Sequence, residues 1–93
     1  MFAVNEFFGG KVKSITFYQG SQKVTAGVMA PGEYTFNTGD KELMKVTAGS
    51  MDVKLPGSKG FVTYKAGQEY PVPPNAAFDL KVAADVSYLC YFG

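Results

Sequence analysis

Most of this chain alternates large apolar residues with polar ones at a period of two, which predicts β-strands. The clearest case is the segment EYTFNT, where Tyr34 and Phe36 alternate with polar residues, so that both rings lie on one face. After a polar loop the alternation resumes over residues 44–55 and breaks at Gly49, which predicts two strands flanking a corner. Residues 27–49 carry the clearest of these signals, and we interpret the other segments of the chain in relation to them.

Further short strands are predicted along the remaining chain, and residues 1–10 precede the first of them. They fall within residues 11–20, 22–29, 61–64, 68–72, 77–83 and 86–93. Pro71, Pro73 and Pro74 place one strand at an edge or a barrel rim, because each removes a backbone donor. The apolar last segment, VSYLCYFG, is typical of a central or interface strand. Helical periodicity is absent, so the pattern of about nine strands predicts an all-β, antiparallel sandwich or barrel.

Size and charge narrow the function classes. With 93 residues, 46% of them apolar, we expect residues 1–93 to form one domain that gains stability by dimerising. The net charge is +1 and every cationic side chain is Lys, which argues against duplex nucleic-acid binding. No apolar run approaches the length of a membrane span. Asn5 and Glu6 interrupt the apolar segment at the start of the chain, which argues against a signal peptide. We expect a cytoplasmic protein.

The chain has no His and a single cysteine, Cys90. Catalysis by a Ser-His or Cys-His arrangement is therefore excluded, and no imidazole can bind a metal. Cys90 has no partner within the chain for a disulfide. It is interpreted as a small buried hydrophobe in preference to a nucleophile, since no His is present to activate it.

Lys13 is a candidate for anion binding. It shares a strand face with Ile15 and Phe17, which we take to be the inner face, whereas Lys54 and Lys81 lie opposite their apolar neighbours. An ammonium group on an inner face favours a bound anion. The alternative is that the stem of Lys13 packs while its amine extends to solvent.

The spacing around the central stretch resembles the first motif of the cupins, which are small double-sheet barrels. Gly27 opens the motif, Tyr34 and Phe36 occupy its His-x-His positions, and six residues separate Glu42 from Gly49. The second motif is matched by Gly67, Pro73 after five residues, Asn75 in place of the turn glycine, and Phe78 in place of the last His. The resemblance implies a jelly-roll-like cupin barrel, and the aromatic residues at the ligand positions imply that it holds no metal.

Within this group the chain closely resembles the pyrimidine/purine nucleoside phosphorylase family. The matching segments are NEFFGGKVKSITF, GVMAPGEYTFNTG, AGQEYPVP and SYLCYF, in order over nearly the whole length, and Pro74 departs from the family pattern. The resemblance implies a homodimeric enzyme that splits purine and pyrimidine ribonucleosides with inorganic phosphate, without a cofactor. The alternative is a metal-free cupin that only binds a small sugar or nucleotide, or serves as a dimeric scaffold.

Several side chains suit this chemistry. Tyr34, Phe36 and Phe78 would form a slot for a flat base, with stacking that tolerates many bases. Either Tyr88 or Tyr91 can face the pocket, and we select Tyr88. Glu42 would bind ribose hydroxyls or stabilise an oxocarbenium-like state, and Lys13 would hold phosphate. The alternatives are that the three rings only fill the core and that Glu42 is a solvated loop carboxylate.

Overall fold

Ten strands and one 3-10 turn (Phe8–Gly10) form the computed structural model, which describes residues 1–93. The strands are β1 (Ala3–Phe7), β2 (Val12–Gln19), β3 (Gln22–Met29), β4 (Gly32–Asn37), β5 (Glu42–Ala48), β6 (Ser50–Lys54), β7 (Val62–Lys65), β8 (Glu69–Val72), β9 (Ala77–Val82) and β10 (Val86–Phe92). No helix here has the length and apolar character needed to cross a membrane.

The strands form two antiparallel sheets that face each other. The six-stranded sheet has the order β1-β2-β3-β10-β5-β8, and the four-stranded sheet has the order β4-β9-β6-β7. The prediction of an all-β, antiparallel double-sheet barrel is thus confirmed. β10 lies centrally between β3 and β5, as its apolar sequence indicated. β8, which contains Pro71, pairs only with β5 and is the edge strand that its prolines required.

The core fills the space between the two sheets. Val46 of the large sheet and Val53 and Leu80 of the small sheet are almost fully buried. Tyr70 is also buried, and its hydroxyl donates to Met51 Sδ at 3.3 Å, so its polar atom has a partner. A cavity remains between the sheets beside this core.

β1 is a strand that the sequence pattern did not reveal. It pairs with β2 over residues 3–7 as the edge of the six-stranded sheet. Its side chains are mostly exposed, and the two that line the cavity are the polar Asn5 and the partly exposed Phe7. A strand that buries no apolar residue lacks the usual alternation signal, which explains the omission.

The expectation that Lys13, Ile15 and Phe17 lie on the inner face of β2 is wrong. Val12 and Ser14 are buried, whereas Lys13 and Ile15 are exposed. Period two determines which residues share a face but leaves open which face points inward. The inner face of β2 is polar here because it lines the cavity.

Two sharp corners confirm the predicted turn residues. Gly49, between β5 and β6, has φ +81°, and a Cβ there would lie 2.9 Å from the carbonyl oxygen of Asp85. Asn75, before β9, has φ +52°, which Asn adopts more readily than most residues.

Candidate functional site

A cavity of about 280 Å³ opens between the sheets, and its walls differ in chemistry. One wall is polar and comes from β1, β2 and β3, with Asn5, Ser14, Thr16, Lys23 and Thr25. The facing wall, from β4 and β9, is aromatic, with Phe36 and Phe78, and Phe7, Tyr88 and Phe92 add rings to the cavity from the six-stranded sheet. The volume is close to the lower end of small-molecule sites, which starts at about 300 Å³. We call these surfaces the polar wall and the aromatic wall.

The polar wall is ordered by one amide. Asn5 lies opposite Ser14 in the β1–β2 register, and its Nδ2 donates to Ser14 Oγ at 3.2 Å and to Thr16 Oγ1 at 2.9 Å. Both amide hydrogens are used in these bonds. Because the two hydroxyl oxygens act as acceptors, their own hydrogens remain for other partners.

The aromatic wall is built on a cross-strand pair. Phe36 of β4 lies opposite Phe78 of β9, and the two rings stack with centroids 5.9 Å apart and planes at 27°. Phe7 meets Phe36 edge to face at 5.9 Å. Phe36 and Phe78 thus line the cavity as the sequence suggested, and their role in binding a base stays a prediction.

The structure places Tyr34 outside this wall, so its assignment to the slot is wrong. Its ring packs against Phe8, with centroids 5.0 Å apart, and its hydroxyl donates to the carbonyl oxygen of Ala30. Tyr34 is buried, but none of its surface lines the cavity. The alternative interpretation, core filling, describes this residue.

Tyr88 lines the cavity and lies directly on Gly27, its partner in the β3–β10 register. A Cβ on Gly27 would lie 2.6 Å from both Cζ and Oη of Tyr88, so the ring requires a glycine there. Burial, together with the nearby Cys90, raises the pKa of Tyr88 to about 12, although a hydrogen bond with Ser14 opposes the shift. Tyr88 is therefore a neutral hydroxyl at physiological pH.

Glu42, at the start of β5, is the only acidic residue that lines the cavity. Burial raises the pKa of its carboxyl, while the Cys90 hydrogen bond and the charge of Lys23 partly oppose this and Asp40 adds to it. The Glu42 carboxylate is thus half-buried at the cavity and is not a fully solvated loop carboxylate. No group of three His, Cys, Asp or Glu residues is arranged to hold a metal ion.

Cys90 is buried, as predicted, and its Sγ donates to Glu42 Oε1 at 3.3 Å. Burial raises the pKa of the Cys90 thiol far above its usual value, and the charge of Glu42 and the bond to it raise it further. A thiol in this environment stays protonated and is a poor nucleophile. Its contribution to the site is to orient the carboxyl of Glu42.

The cation at the cavity is Lys23, which sequence reasoning missed, and Lys13 is not part of it. Lys13 forms an exposed ion pair with Glu6 at 3.4 Å on the outer face of β2. The ammonium of Lys23 lies 4.7 Å from the centroid of the Phe92 ring. Lys23 and Thr25 share a strand phase with Gly27, so counting back by two from the motif glycine would have identified both.

Comparisons with known proteins agree on one family. A family model described as pyrimidine/purine nucleoside phosphorylase matches residues 2–92. A relative named "Pyrimidine/purine nucleoside phosphorylase", from Tolumonas auensis, is 54% identical over 92 residues, which is 99% of each chain. A crystal structure of a protein of unknown function from Vibrio parahaemolyticus superposes with a TM-score of 0.95 at 42% identity, covering 98% of this chain and 97% of that one.

The fold extends further than the family. An RmlC-like cupin from Shewanella frigidimarina superposes with a TM-score of 0.77 at 17% identity, covering 98% of this chain and 82% of that one. At this identity the likeness concerns the fold alone, and it agrees with the cupin-type barrel.

Proposed function

We infer that this chain, which belongs to the pyrimidine/purine nucleoside phosphorylase family, is an enzyme that splits purine and pyrimidine ribonucleosides with inorganic phosphate. The products are the free base and ribose 1-phosphate. The observation that carries the proposal is the cavity itself, with an aromatic wall facing a polar wall and one cation and one carboxylate beside them. Phosphorolysis needs a base surface, an anion site and groups that hold ribose.

The aromatic wall suits a base of either size. Phe36 and Phe78 present ring surfaces without a hydrogen-bond donor or acceptor, so they interact with the π-face of a base and not with its edge. Stacking of this kind contributes about 1–3 kcal/mol per base and tolerates every base. Broad base specificity follows from this wall.

Glu42 suits the ribose. As the glycosidic bond breaks, positive charge develops on the anomeric carbon, and a preoriented carboxylate stabilises it in a site with little water. The ionised carboxylate is the form needed, and the nearby charge of Lys23 favours that form against the effect of burial. In the resting site Cys90 holds one carboxylate oxygen, which leaves the other free for ribose hydroxyls.

Release of free base is the test of the enzyme. The purified protein is incubated with uridine, cytidine, inosine and guanosine, with and without phosphate, and base is measured by chromatography. Base release that requires phosphate supports a phosphorylase. Binding of a nucleoside without any release would contradict it and favour a binding protein.

A pair of variants tests the aromatic wall. Phe36→Leu should raise the nucleoside KM, because it removes one stacking surface. Phe61→Leu is the matched control, since Phe61 lies outside the cavity beneath the ammonium of Lys81. Equal kinetics in the two variants would remove Phe36 from the base site.

The outer face of the six-stranded sheet supports a homodimer. Val4, Ile15, Ala26 and Leu89 are cross-strand neighbours on four consecutive strands, and they form an apolar row. Val4 is 68% exposed and Ile15 is 44% exposed in the single chain. A second copy packing on this face would cover the row. Sedimentation should show a dimer that Ile15→Glu dissociates, and a wild-type monomer at micromolar concentration would contradict it.

A cytoplasmic location is consistent with the chemistry of the site. Cys90 is a reduced, buried thiol that supports the orientation of Glu42. A reducing compartment preserves this hydrogen bond.

A further inference from the structure

We propose that the phosphate co-substrate binds on the polar wall, between the ammonium of Lys23 and the hydroxyl of Thr16, and that Asn5 is the positioning residue for this subsite. The proposal rests on the proposed function and assigns the anion to Lys23 in place of Lys13, which the sequence suggested.

Charge is the first argument. Lys23 is the only cationic residue that lines the cavity. The one ion pair in the structure joins Lys13 to Glu6, so the ammonium of Lys23 has no carboxylate within 4.0 Å. Its contact is the face of Phe92, which attracts a cation but gives the ammonium hydrogens no acceptor within the protein. A phosphate dianion supplies both the charge and the oxygen acceptors.

Donor availability is the second argument. Thr16 Oγ1 accepts from Asn5 Nδ2 at 2.9 Å, so the remaining Thr16 hydrogen is directed away from Asn5. Ser14 accepts the second Asn5 hydrogen, so its own hydrogen is likewise free for another partner. Asn5 therefore fixes the hydroxyls of the polar wall as donors toward the cavity. Phosphate oxygens are acceptors, and such a wall is complementary to them.

Spacing is the third argument. Thr16 lies opposite Thr25 in the β2–β3 register, and Lys23 is two residues along β3 on the same face. Thr16 and Lys23 are diagonal neighbours, whose Cα atoms lie about 7–8 Å apart in such a ladder. A tetrahedral anion can accept from both at once.

The position also separates the phosphate from Glu42. Lys23 is on β3 and Glu42 is on β5, with β10 between them, so two strand spacings of about 4.8 Å each separate them across the sheet. The phosphate on the polar wall and the base on the aromatic wall would then lie on opposite sides of the ribose. A phosphate oxygen forms a bond to the anomeric carbon as the bond from that carbon to the base nitrogen breaks. The electron pair leaves with the base, and the proton of HPO₄²⁻ ends on the base.

Lys23→Met and Lys13→Met form a matched pair, because the two lysines lie on opposite faces of neighbouring strands. In Lys23→Met the phosphate KM at saturating nucleoside should rise about ten- to a hundredfold, as expected when a charge-assisted bond is lost. The nucleoside KM should stay within about twofold, and Lys13→Met should match the wild type. Lys23→Arg should restore part of the loss, and Lys23→Gln is the second variant if Met impairs folding.

Asn5 and Thr16 provide the second part of the test. Thr16→Val should raise the phosphate KM with little effect on the nucleoside KM. Asn5→Asp keeps the size of the side chain but replaces the donor amide with an acceptor, so it should act in the same direction. A merely structural role of Asn5 would instead change both KM values together with the midpoint of unfolding.

The outcomes separate this proposal from the proposed function. If the wild type is active and Lys23→Met keeps its phosphate KM, the subsite is wrong and the phosphorylase remains. If the wild type shows no phosphate-dependent cleavage, the proposed function fails, and calorimetric titration with inorganic phosphate decides on the subsite. Binding that is lost in Lys23→Met and kept in Lys13→Met would support it, whereas equal binding or no binding would overturn it.

Discussion

Gly27→Ala should destabilise this protein through a single contact. The added Cβ would lie 2.6 Å from Cζ and Oη of Tyr88, whereas ordinary contacts begin near 3.4 Å. The Tyr88 ring cannot turn away easily, because it is buried in the core between the sheets. The backbone of Gly27 is not in a left-handed conformation, so the effect of alanine comes from the ring and not from φ.

The size of the effect follows from two opposing contributions. Overpacking a tight interior typically costs about 1–3 kcal/mol. Replacing a strand glycine by alanine stabilises the folded state by about 0.5–1 kcal/mol, because the unfolded chain then has less conformational entropy to lose. The net expectation is a loss of about 1–2 kcal/mol in the free energy of unfolding. For a domain of this size it corresponds to a decrease of about 4–16 °C in Tm.

Guanidinium unfolding at one fixed protein concentration measures the change in the free energy of unfolding. Gly60→Ala is the control, because a Cβ on Gly60 would have no neighbour within 4 Å. Gly60→Ala should stay within about 0.5 kcal/mol of the wild type. A double-mutant cycle then isolates the contact, since Tyr88→Leu removes the ring. In that background Gly27→Ala should be neutral or stabilising. An equal loss in both backgrounds would refute the argument.

Three further predictions concern single residues. Burial raises the pKa of Glu42 above its ordinary 4.5, so protonation of this carboxyl stabilises the folded state at low pH, and this contribution is lost as pH rises through the folded pKa. Glu42→Gln should therefore raise Tm at pH 7 but not at pH 3.5, and equal gains at both pH values would contradict this. Asn75→Ala should lower the free energy of unfolding by about 1 kcal/mol in denaturant titrations while Asn75→Gly does not, because φ is +52° there; equal losses would exclude this cause. Burial raises the pKa of the Cys90 thiol, so iodoacetamide should label it at pH 8 only on unfolding, and rapid labelling of the folded protein would disprove it.

Most strands could be predicted from the sequence because successive side chains point to opposite faces of a sheet, so a strand with one buried face alternates apolar and polar residues. This period of two, together with the apolar last segment and the turn residues between segments, identified β2 to β10, and the turn chemistry placed Gly49 and Asn75 correctly at corners. The cavity residues Glu42, Phe36 and Phe78 could be predicted from the sequence because they occupy motif positions with fixed spacing.

The errors cluster at the cavity and have one physical cause. A binding wall is an inner surface that carries polar residues, so Ser14 and Thr16 look solvent-exposed in the pattern while Ile15 looks buried. Hydrophobicity then assigns Lys13 to the wrong face. β1 was missed for a related reason, since its cavity-facing side carries the polar Asn5 beside Phe7 and none of its residues is fully buried. Conflicts between pattern and structure are expected at functional sites, and here they lie at the cavity proposed to bind substrate.

The central position of β10 has a consequence for biosynthesis. β10 joins β3 to β5, so the six-stranded sheet consists of two separate parts, β1-β2-β3 and β5-β8, until residues 86–92 are present. The sheet can therefore close only when this segment is available for pairing, although most strands have been synthesised by then. Until then β3 and β5 each carry an unpaired edge, and such edges invite chaperone binding.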